Sequence, residues 1–270
     1  MDTYTKILKT IKEELTKSHQ HLFLNDAVHT QLNKFRKRTR KRKTELGQLI
    51  NDKGEVMREV KGDKDSVRWA GYMEYAYEKN NWEPLHVEHN HPNPTWSPYP
   101  TCLSYDDMFG LFEYFHQGTD KLMLKSVTAE DSYNNSRMTL VLGDSWHKPM
   151  NEWDDEMRKK QSKALELSEK LEEFHLSSEK SFYEHRDDYF DEVWDNGDYS
   201  LKTAEDFEFY NKLRRDSAVK SMKDTEYYEQ LNQIKKDFRE LDCKLIWEDM
   251  EDSISEKEVP DSYVNLMNVK

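Results

Sequence analysis

Cysteine, glycine and long apolar runs are all scarce in this chain. Two cysteines, Cys102 and Cys243, stand in 270 residues. So few exclude a disulfide-stapled scaffold, and with charges interrupting the apolar residues of the first twenty positions they lead us to expect a reducing, cytoplasmic setting. Glycine occurs eight times and only once beyond residue 150, at Gly197. No stretch approaches the ~18 consecutive apolar residues of a membrane-crossing helix. Hydrophobic residues make up 35% of the chain, a low share, but aromatics reach 12% and can supply large buried areas to one core.

A basic excess is also missing. The net charge is -13, and it is unevenly spread. Residues 1–150 hold 22 Lys+Arg against 21 Asp+Glu, while residues 151–270 hold 19 against 33. Nucleic-acid binding by the whole chain is therefore disfavoured. One local exception is KFRKRTRKRK, residues 34–43, with eight basic residues in ten. It reads as a solvated helix end, or as a contact for nucleic acid, for an acidic partner, or for the chain's own acidic half.

The apolar spacing of Ile7, Leu8, Ile11 and Leu15 predicts one amphipathic helix, and a second is expected from His29 to about Lys43. Leu49 and Ile50, then Val56, Met57 and Val60, flank Asn51-Asp52-Lys53-Gly54, which predicts a β-hairpin with Gly54 at positive φ. A helix is expected through Gly71–Tyr77. A short strand follows at Pro84–His89, ended by Pro92 and Pro94, with His86 at its edge. A helix from Tyr105 to Phe115 has Ser104 as its N-cap. Two strands, 122–129 and 137–143, complete an α/β first half. Beyond residue 150 the periodicity reads as helical throughout. The expected division is an N-terminal helical segment (1–39), a metal-binding domain (40–149), an acidic all-α region (150–252) and a flexible tail (253–270).

Chemistry concentrates in LHVEHNHPNPTWSPYPTCLSYDD, residues 85–107. On a strand, residues two apart share a face, so His89 and His91 project together and form half of a zinc site. Asp107, in the first turn of the next helix, supplies a third ligand, with Asp106 beside it as the alternative. Ser104, three residues earlier, faces the same site and suits an oxyanion. A hydrolytic site also needs a base, for which Glu45 is the candidate, with Glu55 and Glu59 as alternatives. His86-Val87-Glu88 matches half of the zinc deaminase signature, but the paired thiolates of the other half are absent. No His/Asn arrangement marks Cys102 as a nucleophile, so it reads as a small buried residue. Trp96 and Tyr99, in the proline-rich loop, are placed either to line a groove or to anchor the loop.

H-x-H followed by S-x-x-D, with an upstream glutamate, resembles the motif of the JAMM (MPN+) metalloproteases. The tetrad His89-Asn90-His91-Pro92 is similar to the bacterial branch, which includes RadC-type proteins and JAMM-like domains carried by phages and mobile elements. The resemblance spans roughly residues 40–145. It implies a mixed β-sheet flanked by helices, related in architecture to the cytidine deaminases. It further implies zinc (Zn2+) held by His89, His91 and Asp107, Ser104 as oxyanion helper, and Glu45 as base. The implied activity is hydrolysis of a peptide or isopeptide bond in a protein substrate by a metal-activated water. One departure is the return from His91 to Ser104, twelve residues from Pro92 to Leu103, which is longer than usual in the family. The alternative is a non-enzymatic JAMM-fold binding protein, a phage or mobile-element factor that engages a basic partner through its acidic helices.

Overall fold

The computed structural model describes residues 24–39, 42–64, 66–69, 72–92, 103–113, 123–131, 136–194 and 226–249. The expected helix at 7–15, Cys102, Trp96, Tyr99 and the 253–270 tail lie outside these residues. Helix α1 (Asp26–Thr39) opens on Asn25, whose Oδ1 accepts the Val28 N–H at 3.0 Å. It buries Val28, Leu32 and Phe35, and its last turn carries Arg36, Lys37 and Arg38, favourable at the negative end of the helix dipole. The helix stops short of the expected Lys43, and the Thr39 hydroxyl donates back to the Phe35 carbonyl at 3.1 Å.

Strands β1 (Leu46–Ile50) and β2 (Val56–Lys61) form the expected hairpin, with Gly54 at φ 73°. Helix α2 (Met73–Lys79) leads to β3 (Leu85–Asn90), then α3 (Tyr105–Glu113), β4 (Leu124–Asp131) and β5 (Ser136–Leu142). Helices α4 (Asp155–Trp194) and α5 (Glu226–Glu240) precede β6 (Cys243–Asp249). The six strands make one mixed sheet in the order β2-β1-β3-β4-β5-β6, in which β3 and β4 are parallel and the other neighbours antiparallel. Among the described residues, no helix is long and apolar enough to cross a membrane.

Strand β6 corrects the all-α reading of residues 150–252. After α5 the chain turns at Asp242, which adopts φ 54°, and then pairs antiparallel with β5. The turn is fixed by the Gly143 N–H on the Asp242 carbonyl at 2.8 Å and the Ser145 N–H on Asp242 Oδ2 at 3.1 Å. Nor do the helices stand apart from the first half. Leu167, Leu171, Phe174, Leu231 and Phe238 are buried in the same core as Leu85, Val87, Leu111, Phe112 and Leu140. That core fills one face of the sheet. On the other face, Val28 and Leu32 of α1, with Leu24 just ahead of the helix, pack over Ile50 and Val141.

This second face is unusually polar. His86, Glu88, Ser126, Thr128, Glu130, Arg137 and Thr139 are all buried on it. Arg137 bonds Glu248, His29 Nδ1 (3.1 Å) and Asn33 Oδ1 (3.2 Å), and lies 3.5 Å from Glu130. Burial pushes the Glu88 carboxyl well up, with the charge of Glu130 adding to it, and raises that of Glu130 to about 7 against the opposing pull of Arg137. His86 was expected at a strand edge, but β3 lies between β1 and β4. His86 is buried, with Nδ1 2.8 Å from Ser126 Oγ and Nε2 2.9 Å from Asp52 Oδ1. Its role is to tie the hairpin turn to the centre of the sheet.

Candidate metal centre

Strand alternation sends His89 to the core face, and His91 follows it one residue past the end of β3. The His91 N–H donates to the Glu130 carbonyl at 3.0 Å, which pins it beside β4. Between them Asn90 points the other way, and its Oδ1 accepts the Leu46 N–H at 2.8 Å, fastening the start of β1. Because Gly47 is paired with His89, continuing the antiparallel register puts Glu45 opposite His91 on the same face. The Glu45 backbone is bound on both sides, its N–H to the Asp63 carbonyl at 2.7 Å and its carbonyl to the Gly62 N–H at 3.0 Å.

Asp107 arrives from α3. Its N–H donates to Ser104 Oγ at 3.2 Å, while its Oδ2 accepts from the Ser104 N–H (2.8 Å) and hydroxyl (2.7 Å). S-x-x-D is thus a reciprocal capping box that also fixes the carboxylate. Asp107 Oδ1 lies 3.1 Å from His89 Nε2, Oδ2 lies 3.7 Å from His91 Nε2, and the two imidazole nitrogens are 2.8 Å apart. One ligand atom from each residue lies within 4.8 Å of the others, the one group of this kind among the described residues.

The set fits a divalent metal. Four ligands at the ~2.0–2.1 Å typical of zinc stand roughly 3.3 Å apart, and the His89–His91 and His89–Asp107 separations of 2.8 and 3.1 Å lie near that edge. His89 Nδ1 is buried with no hydrogen-bond partner among the described residues, so Nε2 is the nitrogen turned toward the other two groups. The titration behaviour agrees. Burial alone would keep His89 neutral, but the Asp107 carboxylate and the charge of Glu45 raise its pKa. Burial, reinforced by His89, lowers His91 to about 4. Burial opposes ionisation of Asp107, yet the imidazoles and Ser104 hold it below the usual carboxylate range. Two imidazoles and a carboxylate thus crowd one buried spot, where a bound metal ion would displace any proton they hold.

The group opens on a cleft of about 580 Å³, also lined by Glu45, Ser104, Trp69, Val87 and Gly110. Of the alternative bases, Glu55 bonds Asn51 at 2.8 Å in the hairpin turn and Glu59 pairs with Arg38 at 2.6 Å; neither lines the cleft. Asp106 is exposed on the cleft wall and is not in the ligand group. Sequence reasoning missed Trp69 and Gly110, and gave Asn90 no role. Asn90 had a signal in its place between two co-facial histidines, which turns it to the opposite face. His175 was also missed; it comes from α4, close enough for its charge to bear on His91. Comparison with protein-family models, with curated proteins and with solved structures finds no match to this chain.

Proposed function

We propose that the protein is a zinc-dependent metallopeptidase or isopeptidase of the JAMM-like kind. The observation that carries this reading is the convergence of His89, His91, Asp107, Ser104 and Glu45 on one cleft. The arrangement agrees with what the motif resemblance implies: two histidines from the end of a central strand, a carboxylate from the first turn of the next helix, and a glutamate ahead of the neighbouring strand. His89, His91 and Asp107 would hold the zinc, which when bound supplies a Lewis acid for carbonyl polarisation and water activation. Glu45 accepts the proton of the attacking water and returns it to the departing amine. Ser104 has one hydroxyl proton, here directed at Asp107. It therefore orients that ligand and reaches a developing oxyanion only by rotating away.

Zinc content measured after purification without added metal tests the reading. Wild type should carry about one zinc per chain, and His89→Ala and Asp107→Ala should lose it. Glu45→Gln should keep zinc while cleavage of a mixed peptide library, followed by mass spectrometry, falls by about 10²–10⁴. A wild-type protein without zinc, or variants with unchanged zinc, would remove the proposal. Zinc retained with no cleavage by wild type would favour the non-enzymatic alternative.

A further inference from the structure

Among the described residues, nothing requires residue 110 to be glycine. It lies inside α3, where glycine is unfavourable relative to alanine. Among the described residues, a Cβ added there would meet nothing within 4 Å. The other described glycines each have a cause. Gly54 has a positive φ, and a Cβ at Gly47, Gly62 or Gly143 would collide with Trp69, the Ser66 carbonyl or Asp242. Gly110 stands three residues after Asp107, so it shares that helix face, and it lines the same cleft.

The cleft is larger than a catalytic water and a scissile amide require, and falls in the roughly 300–1,000 Å³ range of ligand pockets. Away from the metal group its lining brings together Val87, Leu124 and Val127 from the sheet, Met73 from α2 and Trp69, with the Ser66 segment at its exposed side. Trp69 lies against β1 because Gly47, the strand partner of His89, leaves room for its ring. Charged groups on the lining outside the metal group and Glu45, Lys64 and Asp106, are both exposed.

We infer that this cleft is a specificity pocket for a large apolar side chain, aromatic or leucine-like, on the substrate residue that carries the scissile carbonyl, with Gly110 kept bare to admit it. The inference rests on the peptidase reading above. It directs the enzyme to peptides with a bulky apolar residue at the cut rather than to glycine-terminated tails.

Two zinc-binding probes test it, N-acetyl-phenylalanine hydroxamate and N-acetyl-glycine hydroxamate, with affinities measured by calorimetry on the zinc-loaded full chain. The phenylalanine compound should bind at least about tenfold tighter. Gly110→Leu, which fills the cleft, should shrink that preference to within about twofold at unchanged zinc content. Trp69→Ala should reduce it by removing wall surface, and keeps the test open if Gly110→Leu fails to fold. In metal-free protein, the phenylalanine compound should shift the Gly110 amide resonance and the glycine compound should not. Equal affinities in wild type, or an undiminished preference in a folded Gly110→Leu or Trp69→Ala protein, would overturn the pocket. If no form binds zinc but the Gly110 shift persists, the metal reading falls and the pocket stands.

Discussion

Replacing Ser104 separates two jobs that one side chain performs. Its Oγ caps α3 through the Asp107 N–H, and its hydroxyl holds Asp107 Oδ2 at 2.7 Å. Ser104→Ala and Ser104→Gly both lose the bond to the carboxylate, but they differ as caps. Alanine at an N-cap costs about 1 kcal/mol, glycine only a few tenths. The Asp107 carboxylate keeps its bond from the residue-104 N–H in both variants, so the ligand is loosened rather than lost. Removing a group that orients a metal ligand typically weakens affinity about 10–100-fold, or roughly 1.4–2.7 kcal/mol. Stability should be read by urea unfolding in chelator, because any bound zinc would add its own stabilisation. Zinc affinity should be read by competition with a chromophoric chelator. The expected pattern is an equal affinity loss in both variants and a stability loss mainly in Ser104→Ala. If zinc affinity in both stays within about twofold of wild type while stability falls, S-x-x-D is a helix cap alone.

Other consequences follow from burial. Burial sets the folded-state pKa of His86 below the ordinary ~6.5, against the opposing pull of Asp52. The unfolded chain therefore takes up this proton first, and stability present above that pH is lost as pH falls through it toward the folded value. His86→Gln should flatten the stability-pH slope between pH 7 and 5 by up to ~1.4 kcal/mol per pH unit; an unchanged slope would show that folding leaves the His86 pKa at its unfolded value. Gly110→Ala should raise stability by roughly 0.5–1 kcal/mol in thermal or urea unfolding, and a destabilised variant would mean that the space over Gly110 is filled. A chain ended after Glu152 lacks α4, α5 and β6 and exposes Leu140 and Met138. It should fail to give a dispersed NMR spectrum, and in the full chain Leu245→Ala should cost about 2–5 kcal/mol.

Local signals carried the first half of the fold. The Asn51–Gly54 turn, the period-two spacing of His89 and His91, and Ser104 at the head of an apolar helix each act over a few residues. The same holds for the grouping of His89, His91 and Asp107, whose ligands leave two consecutive elements. The position of Glu45 depends on register, on Gly47 facing His89 across strands far apart in sequence, and no local pattern distinguishes it from Glu55 or Glu59. Strand β6 was illegible for a related reason. Its partner β5 lies about a hundred residues earlier, and only Asp242 marks the break after α5. Aspartate tolerates the left-handed conformation there, but it is a far weaker stop signal than glycine. The alternation of Cys243, Leu245 and Trp247 toward the core was present, hidden behind an amphipathic helix that ends just two residues before it.

The two sheet faces divide the work unequally. On the core face, apolar packing from α3, α4 and α5 surrounds the three candidate ligands beside an open cleft. On the α1 face, Glu88 and Asn90 alternate with His89 and His91, so each candidate histidine has a buried, bonded neighbour pointing the other way. Asn90 fixes the start of β1, and Glu88 is held through Gln48, which in turn bonds Gln31 of α1 at 3.1 Å. Polar contacts are directional where apolar packing is not, so they set the strand register that a one-residue slip would destroy. A slip of β1 against β3 would carry Glu45 away from His91 and turn it to the opposite face. The buried polar layer behind the sheet is therefore the physical reason that a glutamate forty-odd residues upstream stands in the same cleft as the histidines.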